Sequence, residues 1–72
     1  MTDNFKISLK AARVNAGFTL EEVAKSLHRG KQTIHNWESG RTPIPGYELQ
    51  RVCDLYGAPI DRIFLPEESS LT

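Results

Sequence analysis

Residues 20–40 read LEEVAKSLHRGKQTIHNWESG. Leu20, Val23, Ala24 and Leu27 fall at i, i+3, i+4 and i+7, the apolar stripe of an amphipathic helix. Ile34 and Trp37 carry a second stripe, three residues apart. Between the stripes, His28-Arg29-Gly30 has the length of a tight turn. The spacing predicts helices over 20–27 and 31–39, the second stopped by Gly40. Thr19 with Glu22 three residues on makes a capping box, and Phe18 with Val23 a hydrophobic staple. His28 stands where a left-handed residue is wanted, and histidine enters that region more readily than most non-glycine residues.

Working outward, Ser8 is an N-cap candidate and Gly17 a stop for a first helix over 8–16. Its inward face reads Leu9, Ala12, Arg13 and Ala16. An arginine on such a face needs a partner, or a stem that snorkels its head to water. After Gly40, Arg41 to Gly46 contains two prolines and reads as a loop. Leu49, Val52, Cys53 and Tyr56 then restart the helical period, ended by Gly57. Ala58-Pro59 opens a last short helix with Ile60, Ile63 and Phe64 facing inward, stopped by Pro66. No strand candidate and no internal repeat is visible. The expectation is an all-α fold of five short helices, with the helix-turn-helix at the second and third. Residues 1–6 read as a flexible N-terminus, 7–65 as the domain and 66–72 as a polar tail.

The chain has 72 residues, enough for one domain with a small core. No run of 18 apolar residues exists, so no membrane span is expected. Nor does MTDNFKISLK contain the apolar segment of a signal peptide. The single cysteine, Cys53, cannot form an internal disulfide, which fits a reducing cytoplasm. It lies on an apolar face and reads as a core residue. One cysteine and two histidines do not make a zinc site, so no metal and no cofactor are expected. Net charge is zero, which weighs against a nucleic-acid partner, but the distribution is uneven. Residues 1–41 carry seven Lys/Arg against four Asp/Glu, and residues 42–72 two against five. The basic half contains the helix-turn-helix, and a local basic face decides phosphate attraction.

With Ile34 pointing inward, Gln32 and Asn36 project roughly 160° and 200° away, on the far side of their helix. Thr33, His35 and Ser39 flank them. Gln and Asn suit bidentate contact with adenine, and a threonine methyl can meet a thymine methyl. The alternative is an ordinary solvated polar face. No Ser/His/Asp set, phosphate-cradling glycine loop or paired carboxylates points to an enzyme.

These pieces together resemble the lambda-repressor-like helix-turn-helix family, of the Cro/cI or xenobiotic-response-element type. The matching residues are Arg13, then Gly17 through Ala24, then Thr33-Ile34, Trp37-Glu38 and Gly40. Pro43, Leu49 and the closing Ile60-x-x-Ile63-Phe64 complete the match, over about residues 7 to 65. The turn departs from the pattern: His28 replaces the usual glycine and Arg29 an apolar residue. Leu20 leaves helix 2 without the glutamine that many members use near its start for a phosphate.

The resemblance implies a dimeric regulator of phage, prophage or bacterial type, commonly a repressor, on double-stranded operator DNA. It puts base reading at Lys31, Gln32, Thr33 and Asn36, with His35 alongside; Lys31, at the helix start, could take either guanine or phosphate. It puts phosphate contacts at Arg41 and, less directly, at Arg29 and at Thr19 at the start of helix 2. It also pairs Glu38 with Arg13. That pairing answers a physical difficulty, since an acid at the C-terminal end of a DNA-reading helix opposes both the phosphates and the helix dipole. Trp37, next to the DNA face, reads as a core residue by its spacing from Ile34. Ile60, Ile63 and Phe64 are the expected dimer contact. The competing reading is a protein-interaction module, such as an antitoxin, that keeps this fold; the zero net charge and acidic C-terminal half favour it.

Overall fold

A computed structural model describes residues 6–66. The elements run β1 (Ile7–Ser8), α1 (Leu9–Ala16), α2 (Leu20–Leu27), α3 (Lys31–Ser39), α4 (Gly46–Tyr56), a 3-10 turn (Ile60–Arg62) and β2 (Ile63–Phe64). Among the described residues the chain is therefore mostly helical, with four α-helices. The expected flexible N-terminus lies outside the described residues except for Lys6, and the polar tail except for Pro66.

Local chemistry explains where the helices begin and end. The Ser8 hydroxyl accepts from the Ala11 N–H at 3.0 Å, capping α1. Thr19 Oγ1 accepts from the Glu22 N–H, while the Glu22 carboxylate accepts from the Thr19 N–H, closing the box at α2. His28 adopts φ 58, the one positive φ outside glycine among the described residues. Its N–H and that of Arg29 then close the last α2 carbonyls. Gly40 ends α3 at φ 83, and a Cβ there would lie 2.7 Å from Pro66 Cβ. Both backbone conformation and space therefore exclude a larger residue at position 40.

The chain departs from a fifth α-helix at Pro59. Ile60–Arg62 makes one 3-10 turn, and Ile63 is extended at φ −96, ψ 128. Ile63 pairs in parallel with Ile7, and Phe64 with Ser8. Long-range pairing outweighs a helical spacing that three residues can match by chance, and β-branched Ile63 suits the extended state. Neighbouring strand residues face opposite ways. Ile63 is thus interior, at 3% exposure, while Ile60 and Phe64 are each 40% exposed. Ile63 consequently holds the first and last strands of the described domain together and is not available as a contact between copies. Ala16, expected inward, is also exposed.

The core comprises Leu9 and Ala12 of α1, Val23, Ala24 and Leu27 of α2, Ile34 and Trp37 of α3, and Val52 and Cys53 of α4. Ile63 and the loop residue Ile44 complete it. Buried Ile44, between two exposed prolines, ties the α3–α4 loop onto the core. No helix among the described residues is long and apolar enough to cross a membrane.

Burial raises the pKa of both the Cys53 thiol and the half-buried Tyr56 phenol. The neutral forms are thus favoured in the folded chain, and the unfolded chain loses those protons first as pH rises. Stability should therefore be full below the ordinary thiol range and decline above about pH 8.5, then more steeply above about pH 10. Thermal melting across that range checks this, and Tyr56→Phe should remove the second decline. A flat alkaline profile would contradict it.

Candidate nucleic-acid interface

α3 presents its polar side away from Ile34 and Trp37, which are 2% and 6% exposed. Gln32 Nε2 donates to Asn36 Oδ1 at 3.0 Å, one helical turn on. This leaves Gln32 with its Oε1 acceptor and a second N–H donor, and Asn36 with its amide donors. Thr33 and Asn36 are half-buried and line an open cavity of about 440 Å³ beside α3. Arg29 from the turn, Thr42 and Tyr47 line it as well. Arg29, Thr33 and Asn36 are therefore brought together, with Gln32 tied to them through Asn36.

The other expected contacts are placed differently. His35 is exposed and lines a separate cavity with Lys10, Arg13 and Leu20, on the α1 side of α3. The Thr19 hydroxyl oxygen is occupied by the α2 cap. Arg41 lies exposed just past Gly40, its N–H bonded to the Asn36 carbonyl at 3.0 Å. Lys31 extends from the first residue of α3 to Glu21 Oε2, at 3.0 Å. That bond holds the Glu21 carboxylate below its usual pKa.

Two ionic clusters anchor the unit. Arg13 Nε donates to Glu38 Oε2 at 2.7 Å, and Nη2 to Oε1 at 3.3 Å. Its Nη1 donates to the Phe18 carbonyl at 2.9 Å, just before the α2 cap. One guanidinium thus joins α1, the start of α2 and the end of α3. The bond to Glu38 raises the Arg13 pKa further, against the opposing effect of burial. The second anchor centres on Glu48, which is 1% exposed. It accepts from Arg29 Nη2 and, at 3.4 Å, from Arg51 Nη1. That pairing raises the Arg29 pKa.

Glu48 is the functional-side residue that sequence reasoning passed over. It lies four residues before Val52, so the α4 stripe, extended one step back, reaches it. A glutamate on that stripe signals a buried partner, as Arg13 does in α1. Nothing local indicates that the partner is Arg29.

Residues 7–63 match a family of helix-turn-helix domains. The chain belongs to this helix-turn-helix family. No curated protein and no solved structure matches it. In this helix-turn-helix protein the first helix of the motif is α2, the turn is His28–Gly30 and the second helix is α3. Helix-turn-helix domains of this kind are DNA-binding units whose second helix enters the major groove.

Proposed function

We propose that this protein is a sequence-specific, double-stranded-DNA-binding transcriptional regulator of the lambda-repressor-like, Cro/cI type. On this reading it is a cytoplasmic repressor of phage or bacterial kind, acts as a dimer and has no catalytic activity. The observation that carries the reading is the outward Gln32–Asn36 amide pair on α3. Adenine offers an N6 donor and an N7 acceptor in the major groove, and Gln32 retains a matching acceptor and donor. Holding Gln32 to Asn36 restricts its amide before DNA arrives, which lowers the cost of ordering it. Lys31 and Thr33 flank this pair, and Arg41 and Arg29, at either end of α3, would take backbone phosphates. His35 and Thr19 take peripheral parts, the former from the α1 side and the latter through its remaining hydroxyl proton.

A dimer would set two α3 helices about 34 Å apart on a roughly palindromic site. Exposed Ile60 and Phe64 supply apolar surface for the contact, with Ile63 supporting them from inside. The protein-interaction alternative draws on the carboxylates that already pair with Lys31 and Arg29.

Selection of bound duplexes from a random pool tests the proposal. The recovered site should bind with a steep salt dependence. Gln32→Ala and Asn36→Ala should each lose about 1–3 kcal/mol of discrimination at an A·T position. Their affinity for unrelated duplex should change little. Failure to enrich any sequence, together with a protein that co-purifies stoichiometrically, would favour the alternative.

A further inference from the structure

Along the chain, three cations bracket α3: Arg29 before it, Lys31 at its first residue and Arg41 after it. Two of them already hold a carboxylate. Lys31 is paired with Glu21, and Arg29 with Glu48. Arg41 has no ion pair among the described residues. The chain as a whole carries nine Lys/Arg and nine Asp/Glu, so its net charge adds no attraction of its own.

We propose that Glu21 and Glu48 are specificity-determining residues: built-in counter-anions that weaken the phosphate attraction of the cations flanking α3. Discrimination then rests on base contacts. The inference depends on the DNA-binding reading above and adds how selectivity is set.

The physical basis is counter-ion release. A cation that neutralises a phosphate gains affinity largely by freeing condensed counter-ions from the duplex. A cation already opposed by a carboxylate presents less net charge to that phosphate. The two pairs act differently. The Lys31–Glu21 side chains are 58% and 67% exposed, so a phosphate competes with Glu21 by simple exchange. Glu48 is interior at 1% exposure and cannot swing away. Arg29 therefore carries its counter-charge into any complex. Glu48 also serves Arg51, so the three-residue cluster has a net charge of one, not two.

Glutamine removes each charge while keeping size and an acceptor oxygen. The test measures wild type, Glu21→Gln and Glu48→Gln on a mixed-sequence duplex by fluorescence anisotropy through a salt series. Each variant should bind more tightly than wild type at low salt. Each should also lose about three- to fourfold more affinity than wild type between about 50 and 200 mM salt, the signature of one further phosphate contact. Misfolding lowers affinity and cannot mimic a gain, and melting by circular dichroism identifies any unfolded variant. Should Glu48→Gln melt below the assay temperature, Glu21→Gln, on the surface, decides alone. If wild type binds and the folded variants bind no more tightly, the counter-anion role is overturned. If none of the three binds duplex, the DNA-binding reading fails and the inference fails with it.

Discussion

Arg13→Ala is expected to lower stability by about 3–5 kcal/mol, the usual cost of removing one partner from a buried ion pair. A domain of this length has a total stability of about 4–11 kcal/mol, so the variant should be partly or wholly unfolded near body temperature. The loss is large because two acceptors are left behind. The Glu38 side chain is 6% exposed and would keep a charge without its donor. The Phe18 carbonyl would lose its donor too, at the entry to α2. Each lost kcal/mol shifts the melting temperature of such a domain by about 4–8 °C. Arg13→Met combined with Glu38→Leu should recover most of the loss, since apolar replacements leave no orphaned charge. A melting temperature for Arg13→Ala within a few degrees of wild type would refute the anchoring role. Arg13 stays charged throughout the alkaline range that titrates Cys53 and Tyr56, because Glu38 raises its pKa. The bridge therefore does not add to the alkaline decline.

Trp37→Ala should cost a similar 3–5 kcal/mol, by a different mechanism. Trp37 is 6% exposed and packs in the core that also contains Ile34 and Leu27. Truncation leaves a void that a small, close-packed interior cannot fill by relaxing. Trp37→Phe should be milder and should keep DNA affinity. As the sole tryptophan, it reports directly: emission should shift to the red on unfolding. A stable Trp37→Ala variant that had lost only DNA binding would mean that the indole stacks on bases and is not a core residue.

Much of this architecture can be read locally. Capping depends on a few consecutive residues, so Thr19, Glu22, Ser8, Gly17 and His28 announce helix ends without knowledge of the rest. The outward direction of Gln32 and Asn36 follows from helical geometry once Ile34 is inward. Periodicity misled at Ile60–Phe64, because three apolar residues in five satisfy either a short helix or a turn followed by a strand. The partner that decides between them is Ile7, at the other end of the domain.

The candidate site divides in the same way. The residue types on α3, and the arginine and glutamate that needed partners, were legible as chemistry. The state of charge of the interface was not. Lys31 meets Glu21 because the chain turns at His28 and packs α3 back against α2. Arg29 meets Glu48 because the α3–α4 loop, held by buried Ile44, returns α4 against that turn. By itself the sequence determined the helix ends and the outward polar face of α3, since both arise from contacts within one or two turns of chain. Only the tertiary structure decided the β1–β2 pairing, the burial of Glu48 and the carboxylates opposing the cations. Those depend on which segments pack together, and packing is set by the whole core.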